Sequence, residues 1–220
     1  MKFNRILLAG RVLLAILVIY GLFIWWQKAT AVPIIKIGVL HSLTGTMAIG
    51  EKPLLDGLQL AIAEANAAGG IQGKKIEAVV ADCRSDAEYC AQQAERLITQ
   101  EKVSALFGCW TSICRKAVKP VVEKHRHLLF YPMQYEGMEM SPNIIYTGAA
   151  PNQQIIPGVN WALETLGKRV YLVGSGYVFP RMANILIKDL LVAQDAVLTG
   201  ERYLPLGERA MDEVVADIVK

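Results

Sequence analysis

The stretches Gly108-Cys109-Trp110-Thr111-Ser112 and Tyr131-Pro132-Met133-Gln134-Tyr135-Glu136-Gly137 decide how this chain is read. Each continues a short apolar run, Val103 to Phe107 and Leu128 to Tyr131, into hydroxyl, amide and aromatic side chains. That is the pattern of a buried strand reaching its carboxyl end. In an open α/β sheet, small molecules bind in the crevice outside those ends. The two stretches mark a binding crevice before they specify a ligand.

Outward from them, strand and helix signals alternate. Ile35 to Leu40 reads as a strand, and Lys52 to Ala68 follows with Leu54, Leu55, Leu58, Ala61, Ile62 and Ala65 at helical spacing. Gly69-Gly70 ends that helix with residues suited to positive φ. Ile76 to Ala81 is the next strand, Ser85 the expected N-cap, and Ala87 to Thr99 a helix with Ala91, Ala94, Leu97 and Ile98 inward. A helix from about Ser112 to Lys124 separates the two opening runs, and Asn143 to Thr147 is a further strand.

After Pro151 a second series begins. Gln153 to Leu166 is a helix with Pro157 as a kink or first-turn residue. Arg169 to Val173 is a strand, Pro180 to Gln194 a helix with Met182, Ile185, Leu186 and Leu190 inside, Ala196 to Tyr203 a strand and Ala210 to Val219 a helix. Repeated βα units with short connections require a parallel sheet. The expectation is a doubly wound α/β architecture, with a first lobe over 32–150 and part of a second over 151–220.

The amino end, 1–31, reads as a signal peptide or a membrane anchor. Lys2 and Arg5 precede an apolar run from Val12 to Trp26 that Ile6 to Gly10 extends upstream. Ala29-Thr30-Ala31 resembles a small-x-small cleavage site. Counting over 6–26 instead gives the ~20 residues of a span, with Trp25-Trp26 as an interfacial belt. Either fate puts 32–220 outside the cytoplasmic membrane, periplasmic or extracytoplasmic, because the basic residues stay inside.

With 53% hydrophobic and 20% charged residues among 220, the chain can bury a core. Its net charge of +3 is spread without a basic stripe, which gives nucleic acid binding no support. Cys83, Cys90, Cys109 and Cys114 fit an oxidising compartment. Their pairing stays open, with bridges between adjacent βα units plausible and buried free thiols the alternative.

From 34 to 220 the sequence resembles the type I periplasmic binding proteins, and among them the urea and short-chain amide binders of ABC transporters together with a related amide sensor. The resemblance rests on Ile37-Gly38-Val39-Leu40-His41-Ser42-Leu43-Thr44-Gly45-Thr46-Met47-Ala48, Phe107 to Ser112, Arg115-Lys116-Ala117-Val118, Tyr131 to Gly137, Ser141-Pro142-Asn143-Ile144, Ala150-Pro151-Asn152-Gln153-Gln154 and Tyr177-Val178-Phe179-Pro180-Arg181. It implies that Ser112 and Tyr131 contact a ligand amide, that Trp110 walls the pocket and that Tyr177 closes over it from the second lobe. Thr111 and Gln134 add polar groups, as a small neutral ligand dense in donors and acceptors requires. Met133 replaces a smaller polar residue of the amide sensor, and Gly176 an acidic one. Family members continue through further βα units, so the resemblance also implies a truncated second lobe with an exposed sheet edge.

Structural roles compete for several of these residues. Trp110 could be a core aromatic, Ser112 a helix N-cap and Tyr131 a strand-end residue with a satisfied hydroxyl. Arg115, Glu136 and Glu139 read as helix-end and hinge contacts, His41 as a core or rim residue, and His125 and His127 as a solvated basic face rather than a metal site. No Gly-x-Ser-x-Gly elbow, phosphate loop or metal-ligand cluster occurs, so neither an enzyme nor a cofactor is expected. Three functions remain: a urea or short-amide binding module partnered with ABC permease subunits, an extracytoplasmic sensor domain held by its amino-terminal helix, or a non-functional fragment.

Overall fold

Strand β1, Ile34–His41, lies inside a five-stranded parallel sheet. We describe this from a computed structural model that covers residues 16–23, 26, 33–209 and 211–219. The signal or anchor reading of 1–31 falls largely outside those residues. Residues 16–23 are helical and exposed, and among the described residues no helix is long and apolar enough to cross a membrane.

The sheet order is β2-β1-β3-β4-β5, with β2 at Lys75–Asp82, β3 at Leu106–Gly108, β4 at Leu129–Tyr131 and β5 at Ile144–Tyr146. The chain steps from β1 to β2 through helix α1 (Ala48–Ala67), then reverses through α2 (Ala87–Thr99) to β3 on the other side of β1. Helix α3 (Ser112–Lys124) then leads to β4. The reversal makes the carboxyl ends of β1 and β3 a topological switch point, where loops diverge and leave a crevice. His41 to Met47 leaves from one end and Gly108 to Thr111 from the other.

Helices α2 and α3 pack Cys90, Ala94, Leu97, Val118 and Val122 against Leu40, Leu106, Leu129, Tyr131 and Ile144. Each fully buried leucine contributes roughly 1.5–3 kcal/mol, and truncating Leu106 to alanine would cost about 2–5 kcal/mol. Phe107 and Phe130 are stacked with ring centroids 4.6 Å apart, beside a cavity that Leu54 and Leu58 of α1 also line.

Beyond β5, α4 (Ile155–Thr165) precedes a separate two-stranded parallel sheet of β6 (Arg169–Ser175) and β7 (Val197–Leu204). Helix α5 (Val178–Ala193) connects those strands, and α6 (Asp212–Ile218) follows. The parallel βα pattern expected from the sequence is the observed fold.

Several local expectations shift. Helix α1 starts at Ala48, not Lys52, and accommodates Pro53 in its second turn. Ser85 is not the cap of α2: it takes φ 57°, and Asp86 accepts from Tyr89 N at 2.8 Å. Asp86 wins because its backbone is extended, as an N-cap requires. Ser85 Oγ instead donates to Thr44 O and accepts from Met47 N, both at 3.0 Å. Likewise Thr111, not Ser112, caps α3, and Ser112 is its first helical residue.

Pro180 falls in the first turn of α5, where its missing N–H costs nothing. That helix buries Ala183, Asn184 and Leu191. Ile185, expected inside, is 49% exposed. Asn184 turns the helix by donating to Tyr203 OH at 3.1 Å and Glu201 Oε1 at 3.2 Å, which leaves Met182, Ile185 and Leu186 facing a cavity beside Pro151 and Ile156.

Candidate functional site

Gly108 ends β3 with φ 140°, and a Cβ there would lie 2.0 Å from the carbonyl oxygen of Leu40. Only glycine permits this approach of β3 to β1. The chain then turns through Cys109 at φ 58° and presents Trp110 and Thr111 to the crevice. Trp110 lies directly on Gly50 of α1, where a Cβ would fall 1.6 Å from its indole atoms Cη2 and Cζ3. Thr111 Oγ1 accepts from Cys114 N at 3.3 Å and starts α3.

Both disulfides brace these turns. Cys83–Cys90 joins the end of β2 to the first turn of α2, and Cys109–Cys114 the end of β3 to the first turn of α3. Each bridge therefore closes a single βα turn instead of linking adjacent units, because the strand end and the following helix start are the nearest partners. Among the described residues no cysteine is free.

The β1–α1 loop is held from β2. Asp82 accepts from Leu43 N (2.8 Å), Thr44 N (3.3 Å), Thr44 Oγ1 (2.7 Å) and Arg84 N (2.8 Å). Burial opposes its ionisation, but these bonds outweigh it and lower its pKa. Deeper in, Glu51 Oε2 accepts from Ser42 N at 2.8 Å and lies 3.1 Å from His41 Nδ1. His41 is thus a buried core histidine that also borders the Phe107–Phe130 cavity.

Between the two sheets lies a cavity of about 300 Å³. Trp110, Tyr177 and Phe179 form its walls, and Thr46, Thr111 and Ser175 bring hydroxyls to it. None of its lining residues is charged. The sequence assigns no ligand contact to Thr46 and Met47, which it shows only as part of the Ile37–Ala48 motif, or to Ser175. The loop after β1 obeys the same strand-end rule as the loop after β3, and that rule applied to both sides of the switch point would have found Thr46 and Met47.

The structure brings Trp110, Thr111 and Tyr177 to this cavity. Ser112 and Tyr131 are buried behind it with their hydroxyls engaged. Ser112 Oγ donates to Glu136 Oε2 at 2.6 Å and accepts from Arg115 Nη1 at 3.0 Å. Tyr131 OH donates to Trp110 O at 2.7 Å, which fixes the backbone carrying the indole. Met133 packs partly buried against the core of the first sheet, and neither Met133 nor Gln134 is among the cavity's lining residues. The carbonyl of Gln134 lies 3.4 Å from Tyr131 OH.

Behind the cavity a buried ion network ties α3 to the 132–143 segment. Arg115 is fully buried; its Nη2 donates to Glu136 Oε1 at 2.8 Å and its Nε to Glu139 Oε1 at 2.7 Å. Lys116 Nζ donates to Glu139 Oε2 at 2.8 Å, and Tyr146 OH to Glu139 Oε1 at 3.0 Å. The guanidinium sits 4.9 Å from the ring centre of Tyr131 and 5.4 Å from that of Tyr135. Burial opposes the charge of Glu139, yet Lys116 and Arg115 prevail and hold its pKa at about 2. Burial, and then the negative charge of Glu136, raise the pKa of Tyr177.

His125 has the acidic partner that its sequence neighbourhood does not reveal, since Nε2 lies 2.8 Å from Glu95 Oε2 and Lys124 Nζ reaches Glu95 Oε1 at 3.1 Å. His127 Nε2 lies 2.8 Å from the carbonyl of Val103. The Glu95 contacts join α2 to the carboxyl end of α3, and the His127 contact ties the loop after α3 to the loop after α2.

Comparison with known proteins adds the ancestry. A family profile described as "Periplasmic binding protein domain" matches residues 35–220. The Leu/Ile/Val-binding protein homolog 7 of Brucella abortus (strain 2308) is 38% identical over 78 residues, 36% of this chain and 19% of that protein. LivJ of Streptococcus pneumoniae, solved with isoleucine, superposes with a TM-score of 0.74 at 25% identity, covering 84% of this chain and 54% of LivJ. A solute binding protein of an ABC transporter from Rhodopseudomonas palustris BisB5, solved with 3,4-dihydroxy benzoic acid, gives 0.74 at 21% identity, covering 84% of this chain and 51% of that one. The chain thus spans about half the length of these solved structures and a fifth of the curated relative's length is matched.

Proposed function

The chain belongs to the periplasmic binding proteins, and from that premise we propose that it is an extracytoplasmic, non-enzymatic solute-binding protein of an ABC transporter that takes a small neutral ligand of the urea or short-amide class. The observation that carries this reading is the uncharged lining of the cavity between the two sheets. A zwitterionic amino acid or a carboxylate buried there would lack a counter-charge, and an unpaired buried charge is costly. Urea and acetamide carry no charge and need hydroxyls and amides around each polar atom, inside walls that exclude water.

In this reading Thr46, Thr111, Ser175 and Tyr177 meet the ligand, with Trp110 stacked over it. Ser112, Tyr131 and Gln134 act one layer back, holding the Trp110 backbone and the network beneath it, and Met133 tunes the packing behind that wall. ABC permease subunits are the expected partners.

Isothermal titration of the full chain with urea, acetamide, isoleucine and 4-hydroxybenzoate tests the assignment. Saturable heat with urea or acetamide, lost in Trp110→Ala, is the expected result. Heat with isoleucine or the benzoate alone would transfer the chain to another ligand class, and no heat with any of the four would reject solute binding by this chain.

A further inference from the structure

The two disulfides are not independent. Cys114 Sγ lies 3.1 Å from Cys90 Sγ, so a sulfur of each bridge touches one of the other. The sulfurs of Cys83, Cys90 and Cys114 all fall within 4.8 Å of one another, and Cys114 is bonded to Cys109. All four cysteines are buried, among Ala94, Leu97 and Val118. The contact arises because α2 and α3 begin side by side on one face of the sheet, each with a cysteine in its first turn.

We propose that the four cysteines form one thiol–disulfide exchange unit, in which Cys90 and Cys114 also pair and thereby bridge α2 to α3. The step begins when Cys83–Cys90 is opened by two electrons from a dithiol reductant. The Cys90 thiolate then attacks Cys114 Sγ, the Cys90–Cys114 bond forms, the Cys109–Cys114 bond breaks and Cys109 leaves as a thiolate. No further oxidant or reductant is needed for that second step. A cavity of about 30 Å³, the size of one water, touches both Cys83 and Cys114, so a dithiol reaches Cys83–Cys90 only when the turn after β2 opens.

The exchange bears on the binding site. Cys109–Cys114 closes the turn that carries Trp110 and Thr111, so moving the bridge to Cys90–Cys114 releases that wall while fastening the two helices together. Solute binding and the redox state of the compartment would then be linked through Trp110.

The test uses the full chain with Cys83→Ser, which leaves Cys90 free beside Cys109–Cys114 and needs no reductant. After incubation at neutral pH, acid quenching in denaturant and alkylation, peptide mapping should find label on Cys109 in more than about a tenth of the molecules. The mirror variant Cys109→Ser should place label on Cys83. Exchange in either variant supports the unit, whereas label confined to Cys90 in the first and Cys114 in the second overturns it. If circular dichroism shows both variants unfolded, the four-cysteine chain is treated with limiting dithiothreitol and mapped. A Cys90–Cys114 linked peptide then supports the proposal and its absence overturns it.

Discussion

Arg115 and Glu136 form a salt bridge of 2.8 Å between a fully buried guanidinium and a carboxylate whose side chain is 2% exposed. Glu139 completes the pairing at 2.7 Å on Nε. A buried ion pair contributes little net stability against an apolar replacement of both partners, but removing one partner strands the other. The network is therefore best understood as fixing where the 132–143 segment lies against α3.

Arg115→Met tests this. It leaves Glu136 and Glu139 buried with Lys116 as the remaining cation, so unfolding free energy should fall by about 3–5 kcal/mol. Guanidinium titration followed by circular dichroism measures it. A loss below about 1 kcal/mol would mean that the network behaves as a surface pair.

The depressed pKa of Glu139 has a direct consequence for acid stability. Its carboxyl ionises at about 2 in the folded chain against an ordinary 4.5, so the unfolded state binds more protons between those values. The stabilisation is present above pH 4.5 and is lost as pH falls towards 2. Thermal midpoints measured from pH 6 to pH 2 should drop through this window, and Glu139→Gln should flatten part of the drop while lowering the midpoint at neutral pH.

Gly50→Ala addresses the cleft wall. The added Cβ would overlap the Trp110 ring, and the indole must swing away or α1 must shift. Overpacking of this kind typically costs 1–3 kcal/mol. Calorimetric binding of the ligand identified by titration should weaken at least tenfold, while Gly57→Ala, with open space around its Cβ, leaves binding unchanged.

The two candidate caps of α2 can be separated. Asp86→Ala removes the acceptor for Tyr89 N and should cost about 1 kcal/mol. Ser85→Ala should leave the helix cap intact and act instead on the β1–α1 loop, through its bonds to Thr44 and Met47. Hydrogen exchange at Tyr89 N rising in the first variant and not in the second would verify the assignment.

Much of the fold was legible because period and punctuation carry it. The helix of 87–99 agrees to the residue with its apolar spacing, and Gly69 and Gly70 take the positive φ expected of a helix end. Capping was harder. Ser85 and Asp86 are both good cap residues, and the choice depends on backbone angles set by a loop some forty residues earlier in the chain. The inward face of α5 differs from its apolar spacing for a related reason, since a polar residue, Asn184, finds partners on β7 that its sequence neighbourhood does not contain.

The candidate site divides along the same line. Residue order alone determined the parallel βα architecture and placed Trp110, Thr111, Ser112 and Tyr131 at strand ends, because strand polarity and crossover helices follow from local pattern. Only the tertiary structure decided which of those groups face the cavity. Ser112 and Tyr131 turn their hydroxyls to Glu136 and to the Trp110 carbonyl, and Thr46 and Ser175 arrive from distant loops. The pairing of the cysteines was decided there too, since S–S bonding requires sulfurs brought together in space, and spacing along the chain does not encode that proximity.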